Sequence, residues 1–309
     1  MRLCAVWNPS EHRRALCVAD DVGTYPVARF GDAAELLANY GGSLEAAVAD
    51  AGVSSDSLGR YDDLAKNELG RDVPSLVAPI APVEVWAAGL TYERSRDARM
   101  HESSEQDVYE RAYEAERPEL FFKATGARVM GPGAPVGLRA DSEWQIPEPE
   151  IALVLDTTGG VVGYTLGNDM SSRDIEGENP LFLGQAKIFA GSCALGPAIV
   201  SAAAIEDPYS LEIEMSIIRG GETVFAGSTS TARLHKRFDV LAAYMKRENW
   251  IAPGTVLLTG TGIVPPDEFT LQPGDVIEIS CDSIGVLRNR CEPAGSLEAP
   301  PGWTIPPGH

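Results

Sequence analysis

Residues 142–197 contain the pattern that most restricts how this chain can fold. Two apolar runs, Ile151–Leu155 and Val161–Thr165, lie on either side of the sequence Thr158-Gly159-Gly160. Short apolar runs separated by a glycine turn are typical of a β-hairpin. Further strand-like runs bounded by turns follow along the chain, with few helical patterns between them. The sequence therefore predicts an α+β protein that is mainly β.

Three acidic residues lie at the open end of the predicted hairpin. Glu148 and Glu150 directly precede the first run, and residues two apart in a strand point to the same face. The hairpin returns Asp169 to their level. Neighbouring carboxylates repel each other, and a hard divalent cation would offset that repulsion. We therefore predict an Mg²⁺ site, with Mn²⁺ or Ca²⁺ as alternatives; the other possibility is that all three are solvated surface acids. Pro149 between the glutamates favours an edge or irregular strand.

Five ordered motifs within residues 82–292 resemble the fumarylacetoacetate hydrolase superfamily. They are RPELFFK, PEPEIALVLD, GYTLGNDMSSRD, QAK with LGP, and LLTGTG with LQPGD. Several ordered motifs are a more specific signal than one short pattern. The resemblance implies a rolled β-sandwich with the metal at one mouth and a smaller N-terminal domain.

The chain is predicted to divide into a small N-terminal α/β domain, residues 1–78, and a catalytic β-rich domain with a C-terminal tail, residues 79–309. The first part shows two strand-like runs followed by two helical runs, the second of them with Ser43 as N-cap and Gly52 as its end. This part could be a lid, a packing module or an oligomer contact.

The acidic composition restricts the partners. The chain has 45 acidic and 25 basic residues and a formal net charge of -20, which disfavours binding to nucleic acid or to an anionic membrane. Five cysteines without a CxxC pattern indicate reduced thiols in a cytoplasmic protein rather than a disulfide framework. No apolar run approaches the length of a membrane span.

The resemblance also bears on the loop that begins at Tyr92. Family members that hydrolyse carbon–carbon bonds carry a His-Glu pair there that activates water. If Tyr92 is the family's tyrosine, those two positions hold Ser95 and Ala98, and neither can act as a general base. His101 and Glu102 follow nearby at a different spacing, which leaves a lesser alternative. Residues 103–116 are predicted to form a helix that could cover the site.

A divalent ion bound to three carboxylates could be chelated by a small-molecule 2-oxo acid, whose C3 protons it would acidify. Lys187 would then either act as a base, because a nearby cation lowers a lysine pKa, or stay charged and stabilise the enolate. Glu119, expected at a strand mouth, would assist departure of a C4 hydroxyl; the alternative is a salt bridge to Arg117 or Lys123. The resemblance implies substrate contacts from Thr261, Tyr92, Ser95 and Lys187.

The segments EAERPELFFKAT, DSEWQIPEPE and ENPLFLGQAKIFAG look most similar to family members that dehydrate 2-keto-3-deoxy sugar acids. This implies a hydro-lyase converting 2-keto-3-deoxy-D-arabinonate to 2,5-dioxopentanoate in pentose catabolism, and a homo-oligomer, either a dimer or a tetramer. Two alternatives remain open at this point. One is a hydrolase or decarboxylase of acylpyruvates or oxaloacetate on the same scaffold, and the other is a non-catalytic metal-binding protein.

Overall fold

The computed structural model describes residues 1–40, 42–67, 72–102 and 106–298, without the side chains of residues 99, 101, 102, 106 and 107. The strands are β1 (Arg2–Asn8), β2 (Arg13–Ala19), β3 (Thr24–Pro26), β4 (Ser75–Val77), β5 (Val85–Gly89), β6 (Glu119–Ala124), β7 (Val129–Met130), β8 (Val136–Leu138), β9 (Gln145–Ile146), β10 (Pro149–Leu155), β11 (Val161–Asp169), β12 (Ser171–Ser172), β13 (Cys193–Ser201), β14 (Glu212–Arg219), β15 (Glu222–Ser230), β16 (Thr255–Leu258), β17 (Val276–Cys281) and β18 (Gly285–Pro293). The helices are α1 (Ala33–Asn39), α2 (Leu44–Ala51), α3 (Tyr61–Lys66), α4 (Glu93–Glu102), α5 (Gln106–Glu114), α6 (Arg173–Glu178), α7 (Leu183–Lys187) and α8 (Phe238–Lys246).

The predicted hairpin is confirmed as β10 and β11, which pair antiparallel with Glu150 opposite Gly167. Asp156 closes the turn, because its Oδ1 accepts hydrogen bonds from the amides of Thr158 and Gly160, both at 2.8 Å. Of the two alternatives for Pro149, the edge strand is wrong, since β10 lies between β11 and β16, whereas the strand is irregular, with a register shift between Val154 and Leu155. Proline is tolerated there because it is the first residue of the strand, before the pairing with β16 begins at Ala152.

The large sheet has the order β3-β2-β1-β13-β11-β10-β16-β5-β6, with β4 beside β1 and β7 beside β13. The N-terminal strands join it through β1 and β13, where Arg2 lies opposite Val200. Residues 1–78 therefore share a sheet with the rest of the chain, and a domain boundary at 78/79 stays a prediction. Helix α2 begins and ends as predicted: Ser43 accepts the amide of Ala46 at 3.2 Å, and Gly52 ends the helix with φ +83°.

A second sheet, in the order β15-β14-β17-β18-β8, packs on one face of the first. Strand β14 alternates between the core and solvent, with Ile213 and Met215 buried and Glu212 and Glu214 exposed. Strand β10 is apolar on both sides because it contributes to two cores. One core contains Ile151, Leu153 and Leu155 together with the second sheet and α8; the other contains Ala152 and Val154 together with α1 and α2.

The predicted helix over residues 103–116 is present as α5. Residues 103–105, the start of the predicted helix, lie outside the described residues. Tyr109 and Tyr113 of α5 pack against Leu90, which follows β5, and Tyr113 stacks on His235 with ring centroids 4.2 Å apart. In the described ranges, no helix combines the length and the apolar character needed to cross a membrane.

Replacing Leu153 by alanine should destabilise the protein by about 3 kcal/mol, because Leu153 is fully buried between the two sheets and its removal leaves a cavity. Urea unfolding followed by circular dichroism measures the change. The control is Val224→Ala on β15, where the side chain is 43% exposed and the expected change is within about 0.5 kcal/mol. Equal effects of the two substitutions on stability would contradict the placement of Leu153 in the core between the two sheets.

Candidate metal centre

Glu148, Glu150 and Asp169 come together at the end of the β10–β11 hairpin. One carboxylate oxygen from each lies within 4.8 Å of the others, and the residues are 4%, 1% and 1% exposed. The amide of Asp169 donates to the carbonyl of Glu148 at 2.9 Å, which fixes the two strand ends side by side. The predicted juxtaposition is present, and the burial rules out the alternative of solvated surface acids.

Three buried cations surround these acids. Lys187 Nζ donates to Glu148 Oε2 at 2.6 Å and to Asp169 Oδ2 at 3.2 Å. Lys123 Nζ forms an ion pair with Asp169 Oδ1 at 2.5 Å. Arg173 Nη2 lies 2.9 Å from Glu148 Oε1. Each cation is at most 1% exposed, so the ion pairs lie in a medium of low dielectric constant.

Glu150 is held differently from the other two acids. Its Oε2 accepts the amide of Gly260 at 2.5 Å. Gly260 has φ +89°, and a Cβ there would collide with Thr91, so glycine is needed for this approach. Burial raises the pKa of Glu150 well above its ordinary value, and the charges of Asp169 and Glu148 raise it further, against the lowering effects of the Gly260 amide and Lys187. An ionised Glu150 therefore needs a positive partner.

The carboxylates fit a single divalent ion. Oxygens bound to one Mg²⁺ or Ca²⁺ at about 2.1–2.4 Å lie at most about 4.2–4.8 Å apart, which matches the spacing of these three residues. All three ligands are oxygens, as hard cations prefer. A bound cation would also offset the cost of the buried negative charge at Glu150.

A cavity of about 180 Å³ opens next to the acids. This is smaller than pockets for drug-sized ligands, which begin at about 300 Å³, and it suits a small metabolite. The structure brings most of the predicted site residues to its wall. They are Glu119, Glu148, Glu150, Asp169, Lys187, Ser95 and Thr261.

Tyr92 is the predicted site residue that is not part of the cavity wall among the described residues. It is 2% exposed, and its buried hydroxyl has no hydrogen-bond partner within the described part of the chain. Burial raises the pKa of Tyr92, and the charge of Glu150 raises it further. Tyr92 is therefore buried within electrostatic range of Glu150, and a direct substrate contact from it stays a prediction.

Glu119 begins β6, as expected for a strand mouth, and its carboxylate lies so close to Gly89 that a Cβ there would collide with it. The alternative partners predicted for Glu119 are engaged elsewhere. Lys123 contacts Asp169 and donates to the carbonyls of Met170 at 2.9 Å and Lys187 at 2.5 Å. The guanidinium of Arg117 lies over the ring of Tyr244.

The segment after Tyr92 that was predicted as a loop is helix α4, on which Ser95 is buried and lines the cavity, whereas Ala98 is half-buried. The side chains of His101 and Glu102 lie outside the described part of the chain. Sequence reasoning missed the contacts of Lys123 and Arg173, although both lie within quoted motifs. One signal in the sequence could have pointed to Lys123. The chain has only five lysines, and two of them, Lys123 and Lys187, are in this cluster.

The comparisons with known proteins agree with this arrangement. The family model "Fumarylacetoacetate (FAA) hydrolase C-terminal" matches residues 84–292, and the chain belongs to the fumarylacetoacetate hydrolase family. A Haloferax volcanii protein described as "Probable 2-keto-3-deoxyxylonate dehydratase" is 48% identical over 68% of this chain and 73% of that protein. The 2-dehydro-3-deoxy-D-arabinonate dehydratase of Saccharolobus solfataricus is 44% identical over 74% of this chain and 77% of that protein.

A solved structure of "2-keto-3-deoxy-D-arabinonate dehydratase complexed with magnesium and 2,5-dioxopentanoate" superimposes with a TM-score of 0.82 and 36% identity. The match covers 95% of this chain and 99% of that chain. This similarity confirms the predicted fold class, a mainly β α+β protein built on the rolled β-sandwich of the family.

Adding Mg²⁺ should raise the melting temperature more at pH 8 than at pH 5. A raised pKa of Glu150 in the folded protein means that its contribution to stability is present below its ordinary pKa and is lost as the pH rises through the folded value. At pH 8 the metal-free protein therefore carries the full cost of the charge, which Mg²⁺ offsets. Thermal unfolding with Mg²⁺ and with EDTA measures the difference.

In Glu150→Gln the Mg²⁺ shift should disappear, while the metal-free protein melts no lower than the wild type because a buried charge has been removed. The matched control is Glu214→Gln, an exposed position on β14, which should keep the full shift. A Mg²⁺ shift that survives in Glu150→Gln would show that the ion binds elsewhere.

Proposed function

We propose that this protein is a Mg²⁺-dependent hydro-lyase that dehydrates 2-keto-3-deoxy-D-arabinonate to 2,5-dioxopentanoate. The observation that carries the proposal is the presence of the acid triad, Lys187 and Glu119 in one small cavity. The dehydratase relatives at 44% and 48% identity support it, as does the homologous structure with magnesium and 2,5-dioxopentanoate.

Glu148, Glu150 and Asp169 would hold the metal, which when bound supplies a Lewis acid that makes the C3 protons of a 2-oxo acid easier to remove. Lys187 is the proposed base. Among the described residues that line the cavity it carries the only amine, and no histidine occurs there. Its Nζ is held by Glu148 and Asp169, which fixes it beside the proposed metal ligands.

Glu119 is the proposed acid. Lys187 takes a proton from C3, the electron pair forms the C3–C4 double bond, and the C4–O bond breaks as Glu119 gives its proton to the departing hydroxyl. Water leaves, transfer of a proton from C5 to C3 gives the C4–C5 enol, and transfer of the enol hydroxyl proton to C4 gives 2,5-dioxopentanoate. Thr261 and Ser95 are proposed to contact the carboxylate or keto end of the substrate, and Lys187, Lys123 and Arg173 supply positive charge inside a protein of net charge -20.

Hydrolysis of a carbon–carbon bond is the weaker alternative, because Ser95 and Ala98 stand where the family's water-activating pair would be. A non-catalytic metal-binding role would leave the position of Lys187 and Glu119 beside the acids without a purpose. Pentose catabolism, a cytoplasmic location and assembly as a homo-oligomer remain predictions.

Incubation of the Mg²⁺-loaded protein with 2-keto-3-deoxy-D-arabinonate should release 2,5-dioxopentanoate, detected by reduction of its aldehyde with a coupled dehydrogenase. EDTA should abolish the reaction, and Mg²⁺ should restore it. Borohydride should not trap a substrate adduct on Lys187. Formation of pyruvate in place of the semialdehyde would favour the carbon–carbon lyase or hydrolase alternative.

Lys187→Met and Glu119→Gln should each lower kcat by about 10²–10⁴-fold, as expected for loss of a general base or acid. The Lys187 variant should still bind Mg²⁺ by calorimetry, because the three carboxylates remain. Lys66→Met on α3, an exposed position, is the control and should leave kcat unchanged. Full activity in Lys187→Met would refute its assignment as the base.

A further inference from the structure

Thr91 is a buried residue near the acid cluster that has no part in the metal site or in the proposed proton transfers. It lies between β5 and α4 and is 0% exposed. Its backbone is fixed, because its carbonyl accepts the amide of His235 at 2.8 Å. Its hydroxyl donates to the carbonyl of Thr259, which is also buried, at 2.6 Å. The hydroxyl of Thr91 therefore acts on the backbone that follows β16.

The carbonyl of Thr259 belongs to the same peptide group as the amide of Gly260. That amide donates to Glu150 Oε2 at 2.5 Å. The peptide group is planar, and in the trans form its C=O and N–H point in opposite directions. A hydrogen bond that fixes the carbonyl therefore also fixes the direction of the N–H. Thr91 and Glu150 hold the two ends of one peptide group.

This peptide group needs a contact that selects its orientation. Gly260 has φ +89°, and glycine by itself allows many backbone conformations. The hydroxyl of Thr259 is engaged elsewhere, since it donates to the carbonyl of Ile151 at 2.7 Å. Hydrogen bonds in a chain also polarise one another, so the bond from Thr91 strengthens the amide as a donor to Glu150.

We propose that Thr91 is a positioning residue of the metal site: its hydroxyl orients the peptide between Thr259 and Gly260, and that peptide orients the carboxylate of Glu150 for Mg²⁺. The inference rests on the Mg²⁺ site of the proposed function and names the group that places one of its ligands. Lys187 donates to the other two ligands, whereas Glu150 accepts a backbone amide, so its position depends on what fixes that amide.

The test compares Mg²⁺ binding by Thr91→Val and by the wild type. Valine keeps nearly the same shape but has no hydroxyl, so the carbonyl of Thr259 loses this donor. Calorimetric titration of the metal-free full chain with Mg²⁺ measures Kd. We expect Kd to rise about 10-fold, as is typical when a group that orients a metal ligand is removed. Thr91→Ser keeps the hydroxyl and should bind Mg²⁺ as tightly as the wild type.

Thr255→Val is the matched control. Thr255 is buried at the start of β16, and its hydroxyl donates to the carbonyl of Ala252 at 2.8 Å. The substitution removes the same group from the same strand, at the end away from the peptide that holds Glu150. Its Kd for Mg²⁺ should equal that of the wild type. Both valine variants should melt below the wild type in EDTA, because each loses a buried hydrogen bond.

Three outcomes overturn the inference while the proposed function stands. They are an unchanged Kd in Thr91→Val, an equal rise in Thr91→Ser, which would assign the effect to packing, and an equal rise in Thr255→Val, which would assign it to a general loss of stability. A wild type that binds no Mg²⁺ would instead overturn the metal site and the proposed function with it. The two kinds of failure are therefore distinguishable.

Discussion

Repulsion among three buried carboxylates is the constraint around which this structure is organised. Glu148, Glu150 and Asp169 lie within 4.8 Å of one another, away from water, where unpaired charge is costly. Lys123, Lys187 and Arg173 offset part of that cost through contacts of 2.5–3.2 Å. Among the described residues, the Gly260 amide and Lys187 lower the pKa of Glu150 against the larger raising effect of burial, and a divalent ion would complete the charge balance of the site.

The architecture explains why the cluster can exist at this place. Along β10, alternate residues enter two different cores, so Ala152 and Val154 continue the side on which Glu150 lies. At the N-terminal end of β10 the apolar side chains of this core are replaced by Glu150, which lines the cavity. Strand β10 is therefore apolar in the middle of the sheet and carries acids at its N-terminal end. Its partner β11 ends at the same edge, which brings Asp169 next to those acids.

The cavity separates two kinds of acid. The metal triad occupies one part of the wall, whereas Glu119 from β6 and Glu176 from α6 face the space where a substrate would extend. Under the proposed function, Glu119 gives a proton to the departing hydroxyl group, a role that suits the elimination of water from a hydroxylated 2-oxo acid and does not require a water-activating His-Glu pair.

The sequence by itself determined the features that depend on residues a few positions apart. These are the hairpin, the shared face of Glu148 and Glu150, the alternation of β14 and the caps of α2, because strand and helix periods are local. Only the tertiary structure placed Lys123, whose ammonium bonds to a carbonyl 64 residues away, and buried Glu176 against the cavity. It also joined β1 to β13 across the chain. Such contacts depend on strand order and register, which no local pattern encodes.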